Sequence, residues 1–334
     1  MMVPPALRLP RKVRVGIIGM EGHVDQVIRP LPELPDVELA AYVHNKDLDR
    51  PFFKNAKRFS TAKEMLDSEK LDVVAVATDD GARAAAILEC ASRKVNVFAE
   101  KPLATTKADL AKVKQAVAKN GIQLGMMLEL RFAPHFLALR EIVQSGQIGE
   151  VAQIQGQKSY KPGVSSGWRN KRESYSGTIP WVGIHMADLM LYTSGRRFVE
   201  CASFQTRIGW PELGVRENSA AVLFQMDNGG AATLSMDYLR PDTAEVHDDD
   251  RLRLAGTKGV AEYMRATGVT LMTTTEKPRV MTLPPKKEIF IDFLEHVYAG
   301  KLTLLPIEDI WRANDVVLAA RDAANTGKVV KLGA

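Results

Sequence analysis

Val13-Arg14-Val15-Gly16-Ile17-Ile18-Gly19-Met20-Glu21-Gly22-His23 decides the fold class of this chain. Val13–Ile18 is a short apolar run bounded by glycines, the pattern of a buried strand. Val24–Leu31 then takes up helical spacing and is stopped by Pro32 and Pro35. Working outward, the same alternation repeats. Val37–Val43 predicts a second strand, Ala62–Leu66 a short helix, and Leu71–Ala77 a third strand, nearly all apolar as a strand covered on both faces must be. Ala82–Ser92 predicts a helix, Val95–Ala99 a fourth strand, and Lys107–Lys119 a helix with Leu110, Val113 and Val117 on one side. Asn120-Gly121 is a stop signal for that helix, and Ile122–Met126 is a fifth strand. Strands alternating with helices imply a parallel sheet with right-handed crossovers.

After Arg131 the pattern changes. Pro134–Gln144 is helical and 146–149 is a turn. Longer segments then alternate apolar and polar residues: Val151–Tyr160, Phe198–Ile208, Ala220–Phe224, Ala231–Tyr238, Arg251–Ala255 and Gly259–Met264. One buried and one exposed face marks an antiparallel sheet. Asp227-Asn228-Gly229 and Gly256-Thr257-Lys258-Gly259 read as hairpin turns. A helix at Pro180–Thr193 interrupts the run, and helices at Ile289–Tyr298 and Ile307–Thr326 close the chain. The expected fold is α/β: an N-terminal Rossmann parallel sheet over 1–128, then a C-terminal α/β domain with a large open, mainly antiparallel sheet over 129–334. The last helix is expected to pack back on the first domain.

The composition excludes several classes. The chain has 334 residues, 46% hydrophobic and 25% charged, with a net charge of +5, an ordinary globular balance. The densest basic piece is Arg169–Arg172, too short for a nucleic-acid surface. No run of about 18 apolar residues offers a membrane span, and the Pro-rich start at Met1–Lys12 lacks the apolar stretch of a secretory signal. A cytoplasmic protein is expected. The two cysteines, Cys90 in a helical pattern and Cys201 in a strand pattern, read as small core residues.

A strand, glycines and a helix present free backbone N–H groups to a diphosphate. The spacing departs from Gly-x-Gly-x-x-Gly, because Glu21 stands at the second glycine position and Val24 at the third, with Gly22 displaced by one residue. Either the loop is shaped differently, with Gly19 and Gly22 giving the close approach, or affinity is reduced. The candidate cofactor contacts are Gly16, Gly19, Met20, Glu21, Gly22, His23, His44, Asn45, Lys46, Thr78, Glu100, Lys101 and Arg131. No acid ends the second strand to hold the ribose hydroxyls; His44, Asn45 and Lys46 stand there instead. NAD or NADP both remain open, and the missing acid tilts the choice toward NADP.

The fourth strand ends in Glu100-Lys101-Pro102, at the carboxyl edge where open α/β sheets bind ligands. With Arg131-Phe132-x-Pro134, Gly146-x-Ile148-Gly149-Glu150-Val151, Gly183-x-His185-x-x-Asp188, Gly256-Thr257-x-Gly259 and Ala319-Ala320-Arg321 to Gly327-Lys328, this resembles the Gfo/Idh/MocA oxidoreductases over essentially the whole chain. The resemblance implies that Lys101 and His185 are catalytic, facing the nicotinamide and the substrate carbinol. The family's aspartate, four residues before that histidine, is here Trp181, so His185 is expected to act as general acid and base largely alone. Trp181 instead offers an apolar face to a sugar ring. Substrate contacts are expected from Lys101, Tyr160, Trp168, Arg169, Trp181, His185, Asp188 and His247; Asp188 reads equally well as a structural hydrogen-bond partner. The residues His247–Asp250 alternate faces on a strand, so no metal site is expected. His135 and His296 read as packing or surface residues.

The expected activity is NAD(P)-dependent hydride transfer to or from a secondary alcohol or ketone of a sugar, sugar acid or cyclitol. Two alternatives are a sugar-cleaving or eliminating enzyme that oxidises transiently without net redox, and a non-catalytic sugar- or dinucleotide-sensing binding protein. Expected partners are a small carbohydrate-like molecule and a second copy of the chain, as dimer or tetramer, with neither nucleic acid nor membrane.

Overall fold

The computed structural model describes residues 8–163, 167–209 and 214–333. Most of the Pro-rich start therefore lies outside the described residues. The chain divides into two compact units, one of residues up to Glu129 with Glu288–Ile310, the other of Leu130–Lys287 with residues from Trp311 onward.

The first unit opens with β1 (Val13–Ile18), α1 (Asp25–Ile28), β2 (Val37–Val43), β3 (Lys57–Phe59), α2 (Ala62–Ser68), β4 (Val73–Val76), α3 (Asp80–Ser92), β5 (Asn96–Ala99), α4 (Lys107–Asn120) and β6 (Leu124–Met126). The six strands lie in the order β3-β2-β1-β4-β5-β6, every neighbouring pair parallel. The order reverses between β1 and β4, which opens a crevice at the carboxyl ends of both. Local chemistry sets the helix ends. Thr61 and Glu64 form a reciprocal cap on α2, Asp79 accepts the Ala82 N–H at the start of α3, and Gly121 takes a left-handed conformation (φ 65°) after α4. The expected helix at Val24–Leu31 is only the single turn α1, followed by a 3-10 turn at Leu31–Glu33 containing Pro32. The prolines shorten it as they should, but one turn earlier.

The second unit begins with α5 (Pro134–Gln144) and continues through β7 (Val151–Tyr160), α6 (Ile184–Ser194), β8 (Phe198–Thr206), β9 (Ser219–Met226), β10 (Ala231–Asp237), β11 (Asp248–Gly256), β12 (Gly259–Met264), β13 (Gly268–Thr273) and β14 (Arg279–Val280). Then α7 (Ile289–Ala299) belongs to the first unit, α8 (Ile307–Thr326) starts there and continues in the second, and β15 (Val330–Lys331) ends the description. Nine strands form one sheet in the order β14-β13-β12-β11-β7-β10-β9-β8-β15. Both expected hairpins form, β9–β10 and β11–β12, and one internal pair, β7 with β10, is parallel. One sheet face is buried at Ile154, Val222, Phe224, Ala232, Leu234 and Leu252. α6 lies on that face at close range: a Cβ on Gly156 would stand 2.6 Å from Met186 Cγ, and one on Gly183 would stand 2.8 Å from Met236 Sδ.

In the first unit, Phe98 of β5 meets Phe290 and Phe293 of α7, with ring centroids 5.2 Å apart in both pairs. Cys90 and Cys201 are free and buried, and burial pushes the Cys90 thiol up to about 12. Among the described residues, no helix is long and apolar enough to cross a membrane.

Candidate functional site

The loop after β1 is built by two close backbone approaches. Gly19 has φ 81°, and a Cβ there would stand 2.4 Å from the carbonyl oxygen of Ala77. Its N–H reaches Val43 O at 3.3 Å, and the Glu21 N–H donates to Ala77 O at 2.8 Å. Gly22 has φ 61°, and a Cβ on it would fall 2.0 Å from Glu100 Oε1. Both glycines are therefore demanded by contacts inside the chain as well as by any ligand. The Met20 and Gly22 N–H groups meet no acceptor among the described residues. Two such donors between a strand and a helix are what a dinucleotide diphosphate requires, so the loop fits the group despite Glu21. Gly16, by contrast, is buried inside β1, where a Cβ would collide with Leu71 Cδ1 at 2.6 Å. At the end of β2, Asn45 and Lys46 are exposed, His44 Nδ1 lies 3.0 Å from Lys46 O, and Arg58 Nε donates to Asp47 at 2.7 Å.

The ends of β4 and β5 carry the strongest electrostatics. Glu100 is fully buried and Lys101 is 2% exposed. Glu100 accepts the His23 N–H at 2.6 Å, the His23 ring Nδ1 and the Lys101 N–H. Burial alone raises its pKa, but the facing His23, Lys101 and Arg83 outweigh burial and hold the carboxyl at about 2. Lys101 responds in the opposite sense. Burial lowers its ammonium to about 8, against the attraction of Glu100, Asp80 and Glu129. Arg83, also buried, donates to Asp80 Oδ1 at 3.0 Å, to Pro102 O at 2.6 Å and to Thr78 O at 2.6 Å. It thereby fixes the turn that follows Lys101 to the turn that contains Thr78. Asp80, Arg83 and Glu129 escaped the sequence reading. The sequence hint was Asp80 and Arg83, three residues apart on the side of α3 that also carries the apolar Ala84, Ile87 and Ala91.

In the second unit, residues Ile179–Gly183 form a π-helical turn that leads into α6. His185 lies in the first turn of α6 and is 3% exposed. Asp188, one turn on, accepts Arg131 Nε at 3.1 Å and a second bond from Arg131 Nη2. The pair is buried and stacks its guanidinium carbon 4.4 Å from the Tyr192 ring centre. Trp181 projects from the π-helical turn, its ring centroid 5.1 Å from that of Trp168, and Arg169 lies 5.2 Å from both rings. Tyr160 stacks on the exposed His247 at 5.1 Å. Each aspartate of 248–250 has its own cation: Arg265 at 2.6 Å, Arg251 at 2.7 Å and Lys158 at 2.6 Å. His135 stacks on Tyr263 at 4.0 Å, and burial depresses its pKa to about 4. His296 Nδ1 lies 2.8 Å from Lys301 O.

Within the first unit, His23, Glu100 and the Lys101 N–H form one hydrogen-bonded group with Gly22 packed against Glu100, while Gly19 and Glu21 bond to the ends of the neighbouring strands and Arg83 ties Thr78 to Pro102; His44–Lys46 are a separate group at the neighbouring strand end. Within the second, Trp168, Arg169 and Trp181 form one cluster, Arg131 and Asp188 a second, and Tyr160 and His247 a third. Residues 13–128 match the model of an oxidoreductase family with an NAD-binding Rossmann fold, and residues 136–262 match the GFO/IDH/MocA C-terminal domain. A Thermotoga maritima protein designated an oxidoreductase superimposes with a TM-score of 0.89 at 32% identity, over 96% of this chain and 100% of that one. The chain belongs to the Gfo/Idh/MocA oxidoreductase family. The YrbE oxidoreductase of Bacillus subtilis is 24% identical over 82% of each chain. An inositol 2-dehydrogenase of Salmonella typhimurium is 26% identical over 63% of each. The Glu100-Lys101-Pro102 turn of this Gfo/Idh/MocA member has a cis Lys101–Pro102 peptide.

Proposed function

We propose that this chain is an NAD(P)-dependent dehydrogenase that moves hydride to or from a secondary alcohol or ketone of a sugar, sugar acid or cyclitol. The observation that carries the reading is Lys101: a buried ammonium at the carboxyl end of a central parallel strand, with a proton affinity brought down to about 8. A nicotinamide bound at the β1 loop supplies the hydride acceptor or donor. Lys101 donates a hydrogen bond to the reacting oxygen and stabilises its alkoxide character. His185 takes the hydroxyl proton in oxidation and returns it in reduction. Trp181, with Trp168 and Arg169, supplies an apolar face and a cation of the kind that grips a sugar ring and its hydroxyl or carboxylate substituents. The dehydrogenase name of the Salmonella relative supports a polyol substrate class.

Several finer points belong to the same reading. His44, Asn45 and Lys46, at the end of β2 where NAD-binding folds place an acid, favour a 2′-phosphate and hence NADP. The outward side of β8 and β9 exposes Phe204 at 78% and Leu223 at 53%, which suits a homo-oligomer. Sedimentation showing only monomer at micromolar concentration would exclude it. The test of the activity is nicotinamide absorbance with NAD+ and NADP+ across polyols, sugar acids and cyclitols, with Lys101→Met as control. Turnover that Lys101→Met leaves intact overturns the assignment of Lys101. Tight dinucleotide and sugar binding with no turnover on the panel favours the sensing reading, to which the absence of an acid at Trp181 lends support.

A further inference from the structure

His23 has no part in the mechanism above, yet it sits at the centre of its charges. Its Nδ1 faces Glu100 Oε1, and its Nε2 lies 3.6 Å from Glu129 Oε1. A ring hydrogen-bonded to a carboxylate at Nδ1 and within ion-pair distance of a second carboxylate at Nε2 is favoured in the imidazolium form. Its own backbone N–H donates to the same Glu100 oxygen at 2.6 Å, while the Lys101 N–H binds the other oxygen. Glu100 therefore joins the loop after β1 to the turn after β5, and His23 is the cation that holds it there. The missing Cβ of Gly22 is the space this carboxylate fills.

We propose that His23 is a positioning residue for the dehydrogenase reaction: by bridging Glu100 and Glu129 it fixes Glu100 against Lys101 and sets how firmly Lys101 keeps its proton. The proposal rests on the assignment of Lys101 as the group that polarises the reacting oxygen. The charges facing Lys101 are the anions Glu100, Asp80 and Glu129 and the cations Arg83 and His23. Burial, the largest influence, lowers the Lys101 pKa; the three anions raise it and the cations lower it. Without the His23 charge the carboxylates act on Lys101 uncompensated, and its proton is held to higher pH. Burial opposes the His23 charge, but Glu100 and then Glu129 outweigh it and push the ring's pKa upward.

The experiment compares pH profiles of kcat/KM for the wild type, His23→Gln and His23→Gln/Glu129→Gln. Lys101 acts in its charged form, so activity falls as pH rises through its pKa. His23→Gln is expected to move that alkaline limb up by on the order of one pH unit. The double variant, which removes one anion with the cation, brings it back. A limb that stays in place while kcat and KM change together marks a merely structural histidine and overturns the proposal. A second measurement needs no substrate. Among the six histidine side chains followed by 15N NMR, the pair of ring-nitrogen signals lost in His23→Gln identifies His23. It is expected to titrate above the ordinary histidine range in the wild type and lower in Glu129→Gln. An ordinary titration overturns the proposal even where catalysis is found. An imidazolium in a protein that turns over nothing supports the bridge and sinks the dehydrogenase reading instead.

Discussion

Replacing Lys101 with methionine should inactivate the protein and stabilise it, and the pH dependence of the second effect distinguishes its cause. Lys101 is 2% exposed and its pKa falls from 10.5 in the unfolded chain to about 8 in the fold. A gap of that size at about 1.4 kcal/mol per unit means that the folded state carries a penalty of ~3 kcal/mol for keeping the ammonium charged. The sign follows from the direction. For a base with a lowered folded pKa, the penalty is fully present below pH 8 and disappears as pH rises toward 10.5. Methionine has similar length and no charge, so it removes the penalty. Part of the gain is offset because Glu100 loses one of its three neighbouring cations, leaving His23 and Arg83. The expected net gain at pH 7 is about 1–3 kcal/mol. Urea unfolding at pH 7 and pH 10, with no added dinucleotide, reads it as a midpoint difference that shrinks at the higher pH. A Lys101→Met variant less stable than wild type at pH 7 would show that the attraction of the surrounding carboxylates outweighs desolvation. A gain of equal size at both pH values would show that the lysine charge is not its origin.

Three further outcomes follow from the same geometry. Glu100 has the opposite linkage: its carboxyl is at about 2 in the fold, so its contribution of ~3 kcal/mol is present above the ordinary carboxylate pKa and is lost as pH falls through about 2. Acid unfolding of Glu100→Gln should therefore start from a lower stability and show a shallower pH slope below pH 4.5 than wild type. Arg131→Met leaves the Asp188 carboxylate buried without its guanidinium, and the expected loss is about 3–5 kcal/mol in urea unfolding, much of it recovered in Arg131→Met/Asp188→Leu. Trp181→Ala should raise KM for a sugar substrate about tenfold, the equivalent of ~1.4 kcal/mol of lost stacking, while the dinucleotide Kd stays within twofold. An unchanged KM would remove Trp181 from the substrate site.

The alternation of short apolar runs with helical patterns made the parallel sheet legible, because a strand buried on both faces must be apolar throughout and few other arrangements produce that rhythm. β1 and β2 fall at the residues the pattern marks, Val13–Ile18 and Val37–Val43. The elements the sequence hid are edge pieces. Lys57–Phe59, Arg279–Val280 and Val330–Lys331 have two or three residues each and largely exposed side chains. Their strand conformation comes from a neighbour's open edge, so nothing in their own composition announces it. Gly268–Thr273 was hidden for a related reason: its alternation is legible only once β12 stands beside it.

The candidate site divides along the same line. Lys101 and His185 stand out in the sequence because each lies in a short motif that carries the resemblance to the Gfo/Idh/MocA family, and their catalytic roles are what that resemblance implies. The groups that tune Lys101 do not stand out. Asp80 and Glu129 are 21 and 28 residues away from it along the chain, and the chemistry they share exists only after β4, β5 and β6 pair. Gly22 shows how the two kinds of information mix. As a displaced member of a glycine pattern it looked like an irregular phosphate loop, whereas in the fold it clears the space for the Glu100 carboxylate. A Gly22→Ala substitution separates the two roles. If the glycine serves only an incoming diphosphate, the variant weakens dinucleotide binding and leaves unfolding without ligand unchanged. If it serves Glu100, stability without ligand falls, by about 1–3 kcal/mol for a left-handed backbone with an added clash, and His23 loses its elevated protonation. The 2.0 Å approach to Glu100 Oε1 requires the second outcome.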